Sequence, residues 1–392
     1  MKSGAGSKRR KHSRGGGRSR LAAAAGNALE WGPSMETPGT GKSWRGRGTA
    51  ENPPNRFEHA HFSPDPEWAA TEQTAPETRF LPDHSRSIIT RNDSPDVGFE
   101  YSLNPYRGCE HGCVYCYARP THEYLGFSSG VDFETRIMVK ERAPELLQAE
   151  LGKRSWEPHV LVMSGVTDPY QPVERKLEIT RRCLGVLAEF RNPVAVITKN
   201  HLVTRDLDVL GELAAHRGAA VFVSVTTLDK SLARVMEPRT AHPDFRLEAI
   251  RQLAAAGIPA GVMAAPVVPG LTDHEVPAIL EAAAAAGASF AGYTVLRLPH
   301  GVASLFEAWL ETHFPTKKHR VLSRLKAMRG GRLNDARFGS RMRGEGIYAQ
   351  QLAQLFRVAR RRAGLDRPGP ELSTEAFRRP GGTQLDLFGS ES

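Results

Sequence analysis

Cysteine is scarce in this 392-residue chain, and long apolar runs are missing from it. Three of its four cysteines fall within eight positions and the fourth, Cys183, lies far from them, which excludes a disulfide framework and fits a reducing cytosol. No run approaches the roughly 20 apolar residues of a membrane helix. The apolar stretch at 21–26 is too short for the core of a signal peptide. The sequence therefore predicts a soluble, cytoplasmic protein.

Acidic residues are absent from the first twenty positions, which carry eight lysines and arginines. The formal net charge of the whole chain is +10, so the other 372 residues together carry only +2. An arm of Gly, Ser, Lys and Arg buries too little apolar surface to fold, but it can displace counterions from a polyanion. The arm therefore indicates nucleic acid as a partner, and a solvated tail that binds nothing is the alternative.

The predicted fold begins after residue 80. Residues 1–80 are expected to be a disordered basic arm and linker, since 32–77 is rich in Gly, Pro, Ser and Thr and has no sustained periodicity. Six short apolar runs after it are predicted to be strands: FEYSLNPY (99–106), VLVMSG (160–165), VAVITKN (194–200), AAVFVSVTT (219–227), AGVMAAPVV (260–268) and FAGYTVL (290–296). Helical patterns separate them at 143–151, 173–190, 247–257 and 274–287.

Strands that are apolar throughout and are separated by helices indicate parallel βα units, for which two architectures are candidates. A doubly wound sheet favours a glycine-rich phosphate turn after its first strand, whereas here the three cysteines follow the first strand. We therefore predict an α/β fold, a partial (β/α)6 TIM-type barrel, with its chemistry at the C-terminal ends of the strands. The predicted domains after the arm are a core at 85–312, a small C-terminal helical extension at 313–368 and a flexible tail at 369–392.

The three clustered cysteines lie in NPYRGCEHGCVYCYARP (104–120), where Cys109, Cys113 and Cys116 have the spacing C-x3-C-x2-C. A structural zinc ion needs four protein ligands, and His111 could supply the fourth, although zinc modules usually draw on two separated pairs. Three unliganded thiols are a second alternative. A 4Fe-4S cluster is the third, because its irons take thiolates and the iron left without one can bind another molecule. The spacing favours the cluster.

This motif, with Tyr115 just before the last cysteine, resembles that of the radical S-adenosylmethionine enzymes, and the resemblance covers about residues 85–312. It implies a 4Fe-4S cluster on Cys109, Cys113 and Cys116, whose open iron binds the amino and carboxylate groups of S-adenosylmethionine. It also implies an electron donor, such as flavodoxin or ferredoxin. In these enzymes one electron from the reduced cluster yields a 5'-deoxyadenosyl radical, which abstracts hydrogen from the substrate.

Within that superfamily the chain is similar to the spore photoproduct lyase group, also called DNA repair photolyase-like proteins. The matching segments are NPYRGCEHGCVYCYARPTHEY (104–124), SGVTDPYQPVER (164–175), ITKN (197–200), SVTT (224–227), MEPRT (236–240) and RLEAI (246–250). The resemblance implies contacts to S-adenosylmethionine from Tyr115, Gly165, Thr167, Asp168, Lys199, Ser224 and Arg239. Local alternatives stay open: Asp168 as a turn or cap residue, Ser224 as a strand residue with a local hydrogen bond, and Arg239 as a surface charge.

One departure from that group concerns the return of hydrogen to the substrate. Spore photoproduct lyases carry a cysteine in the segment that corresponds to SGVTD, and this chain has Gly165 and Val166 there. Cys183 falls within a helical pattern and is expected to be a small buried hydrophobic residue. The departure argues against reversal of thymine dimers and leaves the catalytic residue unknown. The rim residues considered for contact with a substrate radical or phosphate are Tyr293, Arg297 and His300.

Two further helices are predicted after the core, at 317–328 and within 338–362. The second has apolar residues that we expect on one face against the barrel: Ile347, Leu352, Leu355, Phe356 and Val358. The tail contains an apolar island, which calls for a partner groove unless it folds back on the barrel: Gln384, Leu385, Asp386, Leu387 and Phe388. QLDLF resembles the pentapeptide by which bacterial DNA polymerases and repair proteins bind the replicative sliding clamp, so the clamp is a predicted partner.

Together these features predict a radical S-adenosylmethionine enzyme that acts on nucleic acid, with damaged DNA as the preferred substrate. Two alternatives remain. One is the same chemistry directed at RNA or protein. The other is a non-enzymatic zinc or iron module that binds nucleic acid.

Overall fold

The computed structural model describes residues 44–58 and 76–380. The basic arm at 1–20 and the predicted clamp-binding residues Gln384 to Phe388 lie outside the described residues. The strands are β1 (Arg79–Pro82), β2 (Ile89–Arg91), β3 (Tyr101–Leu103), β4 (Tyr106–Arg107), β5 (Arg136–Val139), β6 (Leu161–Met163), β7 (Val194–Thr198), β8 (Ala219–Ser224), β9 (Ala260–Val267) and β10 (Phe290–Val295).

The helices lie between and after the strands. The α-helices are α1 (Asp132–Thr135), α2 (Ala143–Leu151), α3 (Glu174–Leu177), α4 (Ile179–Phe190), α5 (Leu207–Ala214), α6 (Lys230–Met236), α7 (Pro243–Ala255), α8 (Val276–Ala285), α9 (Val302–His313), α10 (Pro315–Ala327) and α11 (Gly346–Arg362). Short 3-10 helices span Arg119–Leu125, His201–Asp206 and Asp273–Glu275.

The larger sheet has the strand order β10-β9-β8-β7-β6-β3-β2. From β3 to β10 its neighbours pair in parallel and follow one another along the chain, and β2 adds an antiparallel edge strand. A doubly wound sheet would reverse its strand order partway. The sheet lacks such a reversal over the described residues, which is consistent with the predicted partial barrel and brings the C-terminal ends of six strands to one rim.

The six predicted strands are confirmed as β3 and β6 to β10. Strands of this kind are buried on both faces, which explains why β7 (VAVIT) and β8 (AAVFVS) are apolar almost throughout. Helices α2, α4, α7 and α8 cover the sheet where the helical patterns predicted them. Cys183 is fully buried in α4, as the helical pattern predicts.

Two predicted elements are divided in the structure. The first predicted strand ends at Leu103, and after Pro105 the chain continues as β4, which pairs with β5 in a second sheet of order β1-β5-β4. Proline has no N–H for a ladder hydrogen bond, so the strand cannot continue through it. The helix predicted at 173–190 is interrupted at Glu178, whose φ of 53° is left-handed and separates α3 from α4.

The last helix differs from its prediction in its buried face. Ile347 is 76% exposed, and Leu355 and Val358 are exposed as well. The buried side chains follow the spacing i, i+3, i+7 and i+10: Ala349, Leu352, Phe356 and Ala359. Two small alanines complete this face, which packs against α8. Whether a residue of this helix is buried therefore depends more on its position around the helix than on its hydrophobicity.

Residues 44–58 fall in the range for which the sequence predicts disorder, but they lie across the start of the core. Gly48 N donates to Glu134 Oε2 at 2.9 Å, and the buried Asn55 amide donates to the carbonyl oxygens of Glu123 and Phe127 at 2.9 and 3.1 Å. Polar contacts of this kind leave no apolar periodicity in the sequence. No helix in the described part of the chain is long and apolar enough to cross a membrane.

Candidate functional site

The three cysteines lie in the loop that joins β4 to the 3-10 helix Arg119–Leu125. Cys109 and Cys113 are buried, and Cys116 is partly exposed. Cys116 packs against Cys109 in a small cluster, and it also contacts the main core to which Cys113 belongs. The structure therefore brings together all three predicted cluster ligands at the rim of the large sheet.

A buried ion pair holds this loop in place. Arg119 and Glu134 are both fully buried, and Arg119 Nη2 donates to Glu134 Oε1 at 2.6 Å. The same guanidinium group donates from Nε to the carbonyl oxygen of Cys113 at 3.0 Å and from Nη2 to that of Gly112 at 3.3 Å. Arg119 thus binds the backbone at the second cysteine and at the residue before it, and the Glu134 carboxylate compensates the charge of Arg119.

The thiols lie in surroundings that disfavour their charged forms. Burial raises the pKa of Cys113 well above its ordinary value and that of Cys116 to about 11, and the neighbouring sulfurs act in the same direction. Thiolates are the form that binds metal, so these groups need positive charge from what they bind. An iron-sulfur cluster ligated by thiolates supplies that charge.

A single metal ion fits the loop less well. A structural zinc ion needs four protein ligands, and among residues 44–58 and 76–380 no group of three or more His, Cys, Asp and Glu side chains is placed to hold a metal ion. His111, the proposed fourth zinc ligand, already has neighbours at both ring nitrogens. Nδ1 lies 3.3 Å from Asp168 Oδ2, and Nε2 lies 3.2 Å from the Asn200 amide nitrogen.

Asp168 is a hydrogen-bonding centre beneath the loop. Its Oδ1 accepts from Thr198 Oγ1 at 2.7 Å and from Tyr170 N at 2.9 Å, and its Oδ2 accepts from Lys199 N at 2.8 Å. Although burial acts in the opposite direction, the nearby His111 and these donors lower the pKa of Asp168. Both oxygens are therefore engaged within the protein, which is the turn role that the sequence left open.

Burial lowers the pKa of His111, but the Asp168 carboxylate and the Cys109 sulfur more than offset it and raise that pKa to about 10. Asp168 thus favours a proton on Nδ1, and the Asn200 amide nitrogen lies beside Nε2. Through these two neighbours, His111 joins the cysteine loop to the segments that follow β6 and β7.

Lys199 and Tyr115 meet a second buried carboxylate. Lys199 Nζ donates to the carbonyl oxygen of Ala265 at 3.0 Å and lies 3.9 Å from Glu237 Oε1. The Tyr115 hydroxyl donates to the same Glu237 oxygen, and Lys199 Nζ lies 6.0 Å from the centre of the Tyr115 ring. Burial lowers the pKa of Lys199 to about 8 and raises the pKa of Glu237. Fully buried Arg246 compensates Glu237 from the other side at 2.5 Å.

The remaining predicted cofactor contacts differ in how far they are already engaged. Thr167 Oγ1 donates to the carbonyl oxygen of Gly108 at 2.6 Å, and Arg239 Nη2 lies 3.1 Å from Glu110 Oε1. Ser224 is buried at the end of β8. Gly165 has a φ of 117° and no atom within 4 Å of where a side chain would begin, so open space lies beside it.

Sequence reasoning missed the residues that organise this rim: Glu110, Arg119, Glu134, Glu237 and Arg246. A signal was present in MEPRT and RLEAI, because an acid and an arginine that are buried nine positions apart are rarely left unpaired. Their pairing depends on the turn between α6 and α7, which no periodicity specifies. Tyr293, considered as a rim residue, instead packs on Phe356, with ring centres 4.5 Å apart.

Comparisons with known proteins agree with this geometry. The family model of the Radical SAM superfamily matches residues 103–283. An uncharacterized protein of Mycobacterium tuberculosis is 39% identical over 232 residues, which are 58% of this chain and 68% of that protein. Spore photoproduct lyase of Bacillus subtilis is 29% identical over 183 residues, which are 45% of this chain and 48% of the lyase.

Two solved structures extend the comparison to the fold. Spore photoproduct lyase complexed with dinucleoside spore photoproduct aligns with a TM-score of 0.52 at 17% identity, over 72% of this chain and 79% of that chain. A variant of the lyase with bound AdoMet and dinucleoside spore photoproduct aligns with a TM-score of 0.50, over 72% and 78%. At this identity the likeness shows a shared fold. The chain belongs to the Radical SAM superfamily, and it is an enzyme that binds a 4Fe-4S cluster and S-adenosylmethionine.

Proposed function

We propose that this radical SAM enzyme acts on damaged DNA and that Cys109, Cys113 and Cys116 hold its 4Fe-4S cluster. The observation that carries the cluster assignment is the gathering of three buried or partly buried thiols in one loop at the strand ends. When bound, the cluster supplies the electron that cleaves S-adenosylmethionine to a 5'-deoxyadenosyl radical. The electron comes to it from a donor protein such as flavodoxin or ferredoxin.

The residues around the loop support a division of roles toward S-adenosylmethionine. Lys199 has three donors, and its contacts with Ala265 and Glu237 leave capacity for the cofactor carboxylate. The Tyr115 ring, whose hydroxyl is bound to Glu237, is assigned with Ser224 and the open space at Gly165 to the approach of the cofactor. Asp168, Thr167 and Arg239 act one step away, because their side chains already bind the protein and hold the first group in place.

DNA as the substrate rests on two further features. The chain shares sequence with spore photoproduct lyase of Bacillus subtilis over 183 residues, and its first twenty positions carry eight cationic and no acidic side chains. Gly165 and Val166 stand where that group carries a cysteine, so another group returns the hydrogen atom, or none does. The reaction is therefore proposed to differ from thymine-dimer reversal. RNA or protein as the substrate is the competing outcome of the test below.

Deuterium transfer distinguishes these substrates. Reconstituted enzyme, dithionite and S-adenosylmethionine are incubated without oxygen with deuterated oligonucleotides that carry one defined lesion each, with matched RNA and with undamaged DNA. Deuterium in 5'-deoxyadenosine from one damaged DNA supports the proposal, and label from RNA alone would overturn the DNA assignment. Cys113→Ala should abolish 5'-deoxyadenosine formation, whereas Cys183→Ala, which changes a fully buried thiol in α4, should retain it.

Docking of Gln384, Leu385, Asp386, Leu387 and Phe388 on the replicative sliding clamp stays a prediction from the sequence, as does the cytoplasmic location. The measurement is the affinity of the full chain for a bacterial clamp. Phe388→Ala should abolish binding, whereas Ser390→Ala, two residues on, should preserve it. Equal binding by both variants would refute the docking motif.

A further inference from the structure

Arg297 lies just beyond the C-terminal end of β10, at the same rim as the cysteine loop. Its guanidinium carbon lies 5.6 Å from the centre of the Tyr117 ring. Tyr117 follows Cys116 directly, is 52% exposed, and donates from its hydroxyl to the carbonyl oxygen of Gly165 at 2.9 Å. Tyr117 therefore connects Arg297 to the backbone of Gly165, beside which open space lies.

Over the described ranges of the chain, the charge of Arg297 has no counterion. Among residues 44–58 and 76–380 no carboxylate forms an ion pair with it, its buried Nε has no hydrogen-bond partner, and Nη1 lies 3.6 Å from the sulfur of Met342. Asp96 is close enough to act on it electrostatically, but the Asp96 carboxylate accepts from Arg341 Nε. Burying a guanidinium group without a carboxylate is costly, so such a group calls for an anion from outside.

The neighbours of Arg297 make the site more positive. Arg329 is only 2% exposed, and it donates to the carbonyl oxygens of Leu296 at 2.6 Å and Arg341 at 3.0 Å. In the described part of the chain Arg329 also lacks an ion pair, and its Nε is buried without a partner. Burial and the proximity of Arg297 lower the pKa of Arg329 to about 10, and burial and Arg341 lower the pKa of Arg297. Both guanidinium groups would be stabilised by an anion.

We propose that Arg297, supported by the charge of the buried Arg329, binds a phosphodiester group of the nucleic-acid substrate at the edge of the radical site. The inference rests on the proposed function, since it assigns the substrate's phosphate to a position on the same rim. A planar guanidinium group suits a phosphate that presents two oxygens, and the Tyr117 ring restricts the orientation of the guanidinium plane. Held there, a phosphate would fix the register of the strand beside Gly165.

The salt dependence of DNA binding tests this contact. Binding of full-length reconstituted protein to fluorescein-labelled (dT)12 is measured by anisotropy between about 50 and 300 mM potassium chloride. Counterion release dominates the salt dependence in this range. Arg297→Gln should lower the affinity several-fold and reduce the slope of log K against log salt by about 0.7, the value for one phosphate on a single strand. Arg297→Lys should keep the slope, because it keeps the charge.

The matched control is Arg337→Gln, which removes an exposed arginine from the same region that is already paired with Asp335 and Glu345. It should leave the slope unchanged. A change in the ligand gives an independent test. Replacing the central linkages of (dT)12 with neutral methylphosphonates should cost the wild type more affinity than it costs Arg297→Gln. Equal losses, or equal slopes for the wild type and Arg297→Gln, would overturn the inference.

Three other results separate this inference from the proposed function. If Arg297→Gln weakens binding of S-adenosylmethionine and leaves the DNA slope intact, Arg297 binds the cofactor carboxylate and the phosphate assignment is wrong. If the wild-type enzyme forms 5'-deoxyadenosine while the slopes agree, the phosphate site alone fails. If the wild type forms none under reducing conditions, the proposed function fails whatever the slopes show.

Discussion

The Arg119–Glu134 pair lies at the centre of the cysteine loop, and both side chains are fully buried. Glu134→Gln would leave the guanidinium charge uncompensated and weaken the hydrogen bond that Glu134 Oε2 accepts from Gly48 N. Breaking one side of a buried pair typically costs about 3–5 kcal/mol. We expect a loss of that order in the free energy of unfolding, measured by urea denaturation of the reconstituted protein.

The control for that substitution is Glu150→Gln, which removes an acid from the surface pair with Lys153. Exposed pairs contribute about 0–1 kcal/mol, so the urea midpoint should hardly change. Similar midpoints for the two variants would mean that water reaches Arg119 and that the pair does not organise the loop.

His122 gives stability a dependence on pH. It is fully buried, its Nε2 lies 2.8 Å from the carbonyl oxygen of Arg136, and burial lowers its pKa to about 4. The folded pKa lies below the unfolded value near 6.5, so the unfolded chain binds the extra proton between these values. The contribution of neutral His122 to the free energy of unfolding is complete above about pH 6.5. It is lost as the pH falls toward 4, and the loss is at most about 3 kcal/mol.

Thermal unfolding of the wild type and of His122→Gln between pH 7 and 5 measures this effect. The glutamine amide can still donate to Arg136, but it takes up no proton. The melting temperature of the variant should therefore fall less steeply than that of the wild type as the pH is lowered. Parallel curves would show that His122 is not the group responsible.

At this scale the sequence identifies ligands better than it identifies their supports. Cys109, Cys113 and Cys116 could be predicted as ligands because their spacing is rare in a chain with four cysteines, and the structure gathers them in one loop. Arg119 and Glu134 could not, because their roles depend on burial and on a loop that returns after fifteen residues. The same limit applies to Asp168, whose position was predicted but whose four neighbours only the folded structure reveals.

At the scale of elements, the segment 44–58 passes so close to the cysteine loop that it needs glycine. A side-chain carbon at Gly48 would lie 1.6 Å from the carbonyl oxygen of Gly112, between the first two cysteines. Gly48→Ala must therefore displace one of the two backbones. We expect a loss of about 1–3 kcal/mol in stability and a clear fall in iron bound per chain after anaerobic reconstitution.

Gly185→Ala is the matched control for this change. Gly185 is an exposed residue of α4, and no atom lies within 4 Å of where its side chain would begin. Alanine favours a helix over glycine by about 0.5–1 kcal/mol, so this variant should bind iron normally and be slightly more stable. Normal iron content in Gly48→Ala would mean that the segment is not needed to shape the loop.

Elements with a regular apolar pattern were predictable, and irregular ones were not. The strands from β6 to β10 follow from runs of Val, Ile and Ala that parallel sheets bury on both faces. The three-stranded sheet was missed, because β4 has two residues and β1 is exposed along most of its length. The buried face of α11 was misassigned because its alanines carry little hydrophobic signal.

At the scale of the whole molecule, most of the net charge and the predicted cluster ligands belong to different segments of the sequence. The first twenty residues carry +8 of the net charge of +10, whereas the rim contributes a few specific cations such as Lys199 and Arg297. An arm of this composition can bind any polyanion through counterion release, and the rim can bind only what fits it. The affinity for nucleic acid and the register in which it binds should therefore depend on different residues.

Deletion of residues 2–20 tests that separation. Because the arm holds eight cations, its loss should reduce the salt slope for single-stranded DNA by several units, and by at most about 6 at roughly 0.7 per phosphate contact. A variant with the same arm residues in shuffled order should keep the full slope, since counterion release does not depend on their order. If deletion leaves the slope unchanged, the arm is a solvated tail that binds nothing. The effect of Arg297→Gln should persist after deletion, because the rim contact does not depend on the arm.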